Sequence, residues 1–408
     1  MDNSNKIMME IDVLTAAQER IKWVFDNFPK IYVSFSGGKD STVMLHLVAE
    51  EAQKQNRKIG VLFIDWEAQY NLTISHVQKM MEIYKDYIIP YWIALPFKTV
   101  NAVSQFEPEW ICWEPGKEKA WVREKPINSI KNENFFPFYT YAMTFEEFII
   151  KFGNWYTGNE LTACFIGIRT GESLNRWRTI TNEFKTIKDG ECYTTKVNGT
   201  KNLYNIYPIY DWNTSDIWVY HGKNPDKIYN PLYDRMYQAG IPIHNMRICE
   251  PYGSEQRKGL WLFQIIEPES WWKIVGRVNG ANMGAIYSNE RGNILGVDKV
   301  TLPKGHTWQS FVMQLLGSMP ERTREHYKNK IAVYLHWHIT REYPEGIPDF
   351  IENDCGSEDR IPSWRRICKI ILRNDYWCKG LSFSVTKTSA YQNYLNLMKK
   401  RRESWKLI

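Results

Sequence analysis

The sequence predicts an α/β protein that contains a doubly wound, mostly parallel sheet and ends in a mainly helical region. Three short runs, 31–35, 57–65 and 88–95, are rich in β-branched and aromatic residues, as buried strands are. Residues 42–48 and 72–84 separate these runs, and their apolar side chains recur at about helical spacing. Strands that alternate with helices in this way favour right-handed crossovers between parallel neighbours.

The turn between the first strand and its helix carries the strongest functional signal. Its two glycines let backbone N–H groups approach an anion closely, and the new helix points the positive end of its dipole at that anion. Asp40 is placed to hold Mg²⁺ on a phosphate. The predicted anion-binding residues are Ser34, Ser36, Gly37, Gly38, Lys39, Asp40 and Ser41. An ordinary tight turn is the alternative, but six consecutive residues of this kind after a strand favour a phosphate or sulfate site.

Asp65 ends the second predicted strand, and Glu67 follows it closely. Ligands of open parallel sheets bind outside the carboxyl ends of the strands. These two acids are therefore predicted to meet the nucleoside part of a ligand or its metal. A helix N-cap at Asp65 is the alternative, and both roles are compatible.

Residues 162–169 predict a further buried strand, and a charged cluster follows its glycine turn. Arginine side chains at such a position form forked hydrogen bonds with phosphate or sulfate oxygens. Gly167, Arg169 and Glu172 are predicted to bind the cofactor, and Lys39, Asp40, Arg169 and Arg176 are predicted to be catalytic. The alternative is the start of a surface helix that needs no function.

The rest of the chain suggests two domains, 1–250 and 251–408, with an insertion at about 96–140. A helix is predicted over 7–28, and another over 144–156 with Thr144 and Glu147 as its capping pair. In the second domain, helices are predicted over 308–319 and 322–339 and loops over 276–296.

The turn resembles the Ser-Gly-Gly-x-Asp-Ser signature of the PP-loop superfamily, which contains N-type ATP pyrophosphatases, thiouridine synthetases and phosphoadenosine phosphosulfate (PAPS) reductases. Residues 167–176, 206–218 and 229–234 resemble, in order, three motifs of PAPS reductases. The resemblance implies an adenine nucleotide alpha hydrolase-like fold, with ATP or PAPS and Mg²⁺ as cofactors. It also implies substrate contacts, for which the candidates are Arg178, Trp212, Asp216, Arg247 and Arg257. Trp212 has core packing as its alternative, and 213–216 also fits a helix N-cap region.

One departure from the reductases concerns the chemistry. Their C-terminal Glu-Cys-Gly-x-His segment, which carries the nucleophilic cysteine, is missing, and so are the paired cysteines of an Fe–S cluster. Three hypotheses follow: transfer of an adenylyl group from ATP with release of pyrophosphate, sulfonucleotide reduction through Cys249 or Cys378, and nucleotide sensing without catalysis. We favour the first of these.

A closer resemblance, through 65–70, 251–260 and 374–383, is to a set of PAPS-reductase-like proteins that includes the immunoglobulin-binding regulator IbrA. That resemblance implies a ParB-like protein partner and a regulatory or phage-related setting.

Composition limits the possible partners and compartment. The formal charge of +6 permits a polyanionic partner, and the basic residues of 381–408 suggest either nucleic-acid contact or a solvated helix face. No run of about 18 apolar residues and no apolar leader is present, which predicts a protein without a membrane span or signal peptide. The seven scattered cysteines favour reduced thiols in the cytoplasm, with a metal or Fe–S cluster built from distant cysteines as the alternative. The sequence leaves a homo-oligomer open.

Overall fold

The computed structural model describes residues 10–104, 107, 109–182, 184–249, 252–253, 259–282, 302–351, 361–373, 375–376 and 378–383. The chain divides into two compact units. The first contains Met1–Leu95, Arg123–Tyr141 and Phe148–Cys249, and the second contains Pro96–Val122, Ala142–Glu147 and Glu250–Ile408. One break between the units lies between Cys249 and Glu250, and the residues of the predicted insertion, about 96–140, belong partly to each unit.

A six-stranded sheet forms the centre of the first unit. Its strands are β1 (Lys30–Ser34), β2 (Ile59–Ile64), β3 (Ile88–Ile93), β6 (Thr162–Ile166), β7 (Thr194–Lys196) and β8 (Leu203–Ile206). The spatial order is β3-β2-β1-β6-β8-β7, and every pair is parallel except β7 with β8. The predicted α/β class with a mostly parallel sheet is therefore confirmed.

The helices that accompany this sheet each bury at least one apolar side chain. They are α1 (Val13–Asn27), α2 (Lys39–Lys54), α3 (Asn71–Ile83), α4 (Phe145–Thr157), α5 (Leu174–Thr181), α6 (Thr214–Lys223) and α7 (Leu232–Gln238). Helix α2 is the most enclosed, since twelve of its residues are buried. Its apolar side chains join those of α1, β1, β2 and β6 in one core cluster. This burial holds the start of α2 rigidly against the sheet.

Local capping signals explain several helix ends. The Asp12 carboxylate accepts hydrogen bonds from Leu14 N and Thr15 N, so α1 begins at Val13, later than predicted. The predicted capping pair of α4 is confirmed: Glu147 accepts from Thr144 N at 3.1 Å, and Thr144 accepts from Glu147 N at 3.3 Å.

The second unit contains a two-stranded antiparallel sheet, β4 (Lys98–Val100) with β5 (Glu109–Ile111). Its helices of seven residues or more within the described ranges are Leu260–Ile266, Pro268–Arg277, Trp308–Ser318, Glu321–Ile339 and Trp364–Leu372. The last three build a separate core cluster that includes Val312, Tyr327 and Ile367. The helical prediction for this region is therefore confirmed. Within the described ranges, the structure contains no helix that is both long enough and apolar enough to cross a bilayer.

Candidate functional site

The candidate site lies where the strand order of the sheet reverses. Strand β1 has β2 on one side and β6 on the other, and Ser34 is in register with Ile166. The connections that leave β1 and β6 therefore diverge from adjacent carboxyl ends, which creates a crevice at this point in open α/β sheets. The Ser36–Ser41 loop follows β1, and Arg169 follows β6 by three residues. The fold thereby brings Asp40 and Arg169, which lie 129 positions apart in the sequence, into hydrogen-bond contact.

The Ser36–Ser41 loop is tight, and its second residue, Gly37, has a backbone conformation that favours glycine. Gly37 has φ +74°, and a Cβ there would lie 2.9 Å from Thr73 Cγ2. The buried Asn230 side chain holds the loop by donating to Gly37 O at 2.9 Å and to Thr73 Oγ1 at 3.0 Å. Gly38 is then the N-cap of α2.

The hydroxyl groups of Ser36 and Ser41 in the loop are hydrogen-bonded to each other. Ser36 Oγ and Ser41 Oγ are 2.9 Å apart, and Ser41 Oγ also donates to Gly38 O at 3.1 Å. Ser36 is exposed, whereas Ser41 is buried and Ser34 is half-buried. The exposed Ser36 hydroxyl is therefore the serine group that an incoming ligand meets first.

Lys39, Asp40 and Arg169 form a buried ion-pair cluster at the start of α2. Asp40 Oδ1 accepts from Arg169 Nε at 2.5 Å, and Asp40 Oδ2 lies 3.2 Å from Lys39 Nζ. All three residues are less than one-tenth exposed. Arg169 also donates to Trp212 O and Thr214 Oγ1, both at 3.4 Å. One carboxylate thus faces two cations in a nearly dry environment, which leaves the cluster with a formal charge of +1.

Contacts from distant parts of the chain orient Lys39. Its backbone N–H donates to Tyr233 Oη at 2.9 Å, and its Nζ donates to Met246 O at 3.2 Å. Burial lowers the pKa of the Lys39 ammonium, Asp40 opposes this shift, and the nearby Arg169 and Arg247 add to it. Burial likewise raises the pKa of Tyr233 well above its ordinary value, so its hydroxyl stays neutral. An excess of positive charge at this point favours an anionic ligand.

Gly167 lets the loop after β6 approach α2 closely. A Cβ on Gly167 would lie 2.9 Å from Ser41 Cα and 3.0 Å from the Asp40 carbonyl atoms, so no other residue fits without a backbone shift. This close approach allows the Arg169 side chain to reach Asp40.

Glu172 organises the outer rim of the site. Its carboxylate accepts from Arg169 N at 3.1 Å and is paired with Arg176, while its carbonyl accepts from Arg247 Nη2 at 2.9 Å. Burial lowers the pKa of Arg176, and the nearby Asp40 and Cys249 oppose this shift. Arg176 and Arg247 thus join the cluster that was predicted from sequence, and Glu172 directs both.

Asp65 and Glu67 are fully buried at the end of β2. The Asp65 carboxylate accepts from Glu67 N at 3.0 Å and from Trp92 Nε1 at 2.9 Å, and it is paired with Arg123. The N-cap alternative for Asp65 was wrong, because α3 begins at Asn71 with Tyr70 as its N-cap. Glu67 has φ +65°, an uncommon conformation for a non-glycine residue that tends to occur at functional sites. Whether these acids meet a ligand stays a prediction.

Several predicted substrate residues have other roles. Trp212 is 1% exposed and donates to Val13 O at 2.9 Å, so its ring packs in the core rather than against a ligand. Asp216 accepts from Asn213 N at 2.6 Å and caps α6. Arg178 is exposed on α5. Arg257 lies outside the described residues, as does most of the basic C-terminal stretch.

Whether Asp40 holds Mg²⁺ on a bound phosphate stays a prediction. In this structure both of its carboxylate oxygens face cations. These contacts orient Lys39 and Arg169. The chemistry of this donor set suits phosphate or sulfate oxygens.

Sequence reasoning did not assign Asn230, Tyr233 or Met246 to the site. Asn230 and Tyr233 belong to the 229–234 stretch whose resemblance to a reductase motif was the available signal. Met246 contributes only its carbonyl, for which no sequence signal exists.

The family model for the phosphoadenosine phosphosulfate reductase domain matches residues 30–239, and a domain of unknown function (DUF3440) matches 240–342 and 342–392. The uncharacterized protein YbdN of Escherichia coli (strain K12) is 48% identical over 405 residues, which cover 99% of this chain and 98% of the relative. A phosphoadenosine 5'-phosphosulfate reductase of Pectobacterium carotovorum is 25% identical over 242 residues, or 59% of this chain and 81% of the relative.

Among solved structures, a PAPS reductase from Candida auris in a phosphate complex aligns with a TM-score of 0.31 and 14% identity, over 56% of this chain and 93% of that one. A similarity at this level carries no conclusion about activity. The family model spans half of the chain, and its range contains the strands, the glycine loop and Arg169. The chain therefore belongs to the phosphoadenosine phosphosulfate reductase domain family, with a PP-loop nucleotide-binding fold followed by a DUF3440 region.

Proposed function

We propose that the chain binds ATP and transfers its adenylyl group to an acceptor, with release of pyrophosphate. The observation that supports this most is the buried Lys39–Asp40–Arg169 cluster beside a glycine loop at the switch point of the sheet. Such a cluster presents positive charge that does not need to reorganise when an anionic ligand arrives. PAPS, the other nucleotide that the family implies, would use the same anion contacts.

In the proposed reaction, an acceptor oxygen attacks the α-phosphorus and forms a new P–O bond. The bond from the α-phosphorus to the bridging oxygen breaks, and that oxygen leaves with pyrophosphate. Negative charge gathers on the departing oxygens, where Lys39, Arg169 and Arg176 offset it. Asp40 acts as a positioning residue, because it fixes the direction of both buried cations.

The setting that we propose is cytoplasmic and either regulatory or phage-related, with a ParB-like protein as partner. It rests on the resemblance of 65–70 and the later segments to the set that includes IbrA. Nucleic acid bound through the basic C-terminal stretch and a homo-oligomer belong to the same proposal.

The test is incubation with ATP labelled at the α-phosphate, Mg²⁺ and candidate acceptors, including a ParB-like partner and DNA. Transfer of label together with pyrophosphate supports the proposal. Lys39→Ala and Arg169→Ala are expected to lower the rate by about 100-fold or more. Lys22→Ala, which removes an exposed lysine on α1, is the control that keeps wild-type activity. Tight ATP binding without turnover would favour a nucleotide sensor. A lack of any ATP affinity would contradict the proposed adenylyl transfer.

A second function, sulfonucleotide reduction, is favoured by the position of Cys249. This half-buried thiol is near enough to Arg176 and Tyr233 to influence the pKa of both groups. A Cys249 thiolate would attack the sulfur of PAPS, the S–O bond to the nucleotide would break, and an external dithiol would release sulfite. The structure corrects the prediction of Cys378 as the other candidate nucleophile. Cys378 is fully buried, and burial raises the pKa of its thiol, so the reactive thiolate is disfavoured.

Sulfite release from PAPS with a thiol donor tests this second function. The Cys249→Ser variant is expected to abolish it, and Cys192→Ser, at an exposed cysteine, is the matched control. Adenylyl transfer would be unaffected by Cys249→Ser, which separates the two functions.

A further inference from the structure

The cations of the candidate site are covered in this structure. Lys39, Asp40 and Arg169 are 5%, 8% and 3% exposed. A phosphate group is held by direct hydrogen bonds from such side chains, so it has to reach the same depth as they do. A ligand therefore contacts this cluster only after some part of the chain moves away from it.

Two neutral groups from later in the chain accept hydrogen bonds from Lys39. Tyr233 Oη accepts from the backbone N–H at 2.9 Å, and the Met246 carbonyl accepts from Nζ at 3.2 Å. A Cβ on Gly38 would lie 3.4 Å from Tyr233 Oη, so this hydroxyl lies beside the N-cap of α2. That end of a helix attracts anions, and here it has a neutral oxygen as its partner.

Met246 belongs to a surface segment, residues 241–249, for which we use the name strap. Residues 242–245 and Arg247 are exposed, whereas Met246 is 1% exposed. The regular structure of the strap is one short turn, Ile243–Asn245. Arg247 Nη2 joins it to the rim of the site by donating to Glu172 O at 2.9 Å. A segment that buries so little of its surface opens at a lower free energy than the core strands do.

An anion is a stronger partner for Lys39 than the two groups that it now has. The backbone N–H would exchange a neutral hydroxyl for a charge-assisted bond, which is about twice as strong. The ammonium group would exchange a carbonyl dipole for a full negative charge. The formal charge of +1 on the cluster, in a nearly dry environment, strengthens the attraction further. The exchange is therefore favourable once a phosphate group enters.

We propose that Tyr233 and the strap form a gate that an anionic ligand displaces from Lys39. Without ligand, the Tyr233 hydroxyl and the Met246 carbonyl occupy the two donors of Lys39. With ligand, phosphate oxygens take both places and the strap opens. This gate rests on the proposed nucleotide site and adds a means of regulation to it, because any factor that holds the strap closed also blocks the site.

The probe for the gate is inorganic pyrophosphate, which has phosphate oxygens but no nucleoside, and calorimetric titration of the full chain measures its affinity. Tyr233→Phe frees the Lys39 N–H and keeps the ring, so pyrophosphate should bind about fivefold more tightly. Tyr229→Phe is the matched control, because it removes a hydroxyl of the same segment that donates to Asp234 Oδ1 at 2.9 Å. Met246→Ala removes the buried side chain of the strap and should speed association of pyrophosphate about tenfold.

Hydrogen exchange measures the displacement itself. Addition of pyrophosphate to the parent chain should slow exchange of the amides in 36–42, which bind the anion, and should speed exchange of those in 241–249. A strap that instead contacts the ligand would exchange more slowly after the addition. The two roles of the strap therefore predict opposite changes.

The proposal is overturned if pyrophosphate slows exchange of the strap or leaves it unchanged. It is also overturned if Tyr233→Phe binds pyrophosphate no more tightly than the parent chain, or if no variant binds it at millimolar concentration. Thermal melting of Met246→Ala separates an opened strap from a lost fold, and Tyr233→Phe provides an independent test. Strap opening without transfer of label from ATP contradicts adenylyl transfer alone, whereas transfer with an unchanged strap contradicts the gate alone.

Discussion

Arg169 donates from its Nε to Asp40 Oδ1 across 2.5 Å, and this bond joins the connection after β6 to the first turn of α2. The same carboxylate faces Lys39 through its other oxygen. The charges of the candidate site are therefore arranged before any ligand binds. Removal of the shared carboxylate should lower stability while it raises the affinity of the two cations for an added anion.

Asp40→Ala should lower the free energy of unfolding by about 3–5 kcal/mol, because two buried cations lose their shared counter-ion. Urea denaturation measures the loss. Added sulfate should stabilise this variant more than the wild type, since an anion can replace the missing carboxylate. Glu160→Ala breaks the partly exposed pair with Lys30 and should cost less than about 1 kcal/mol. Equal losses in both variants would contradict the proposed strength of the cluster.

Gly167→Ala should disrupt the site, because its Cβ would meet the backbone of Asp40 and Ser41 at about 3 Å. We expect a lower melting temperature and a loss of ATP affinity of about tenfold or more. Gly171→Ala is the matched control, since a Cβ there meets no atom within 4 Å. If Gly167→Ala binds ATP normally, close packing at this glycine is not needed for the site.

Asn230→Ala should destabilise the Ser36–Ser41 loop, because Asn230 holds this loop by a hydrogen bond to Gly37 O. The buried amide of Asn230 bonds to Gly37 O, to Thr73 Oγ1 and, as acceptor, to Leu232 N. Its loss leaves buried polar groups unpaired, at a cost of about 2–3 kcal/mol. Asn154→Ala, which removes one exposed bond to Gly199 O, should change stability by less than about 0.5 kcal/mol. Denaturation of both variants, with and without ATP, compares the two positions.

Stability should fall as the pH drops below about 6.5, because His46 and His76 are buried as neutral rings. His46 lies between Tyr84 Oη at 2.6 Å and Ile228 O at 2.8 Å, and His76 lies 2.9 Å from Thr42 Oγ1. Burial lowers the pKa of His46 to about 4 and that of His76 to about 3. The unfolded chain binds protons near pH 6.5 and the folded chain does not, so stability is complete above that pH and decreases toward pH 4.

The loss by pH 5 should be about 2 kcal/mol for each of the two histidines. Unfolding free energies measured between pH 5 and pH 7.5 test this value. The double variant His46→Gln, His76→Gln should be less stable at pH 7.5 but should show a flatter pH dependence. An unchanged slope would assign the pH dependence to other groups.

The sequence by itself determined the elements whose signals are local. Alternating β-branched and aromatic residues predicted β1, β2 and β6, and the Ser36–Ser41 turn predicted an anion site at the start of α2. The Thr144–Glu147 capping pair could also be predicted from the sequence, because its two members lie within one helical turn. Arg169 was predicted to share a catalytic site with Lys39 and Asp40, because it follows a buried strand and a glycine turn.

Only the tertiary structure decided which groups complete the site. Tyr233 and Met246 contact Lys39 from 194 and 207 positions away, and no local pattern encodes such pairs. Asp65 directly follows β2, close to its predicted place at the strand end, but its partner Arg123 lies 58 residues further along the chain. Residues 96–122 likewise belong to the same compact unit as residues 250–408, although they are far from them in sequence. Strand and helix periodicities depend on neighbouring residues, whereas these contacts depend on how whole elements pack and bury charge.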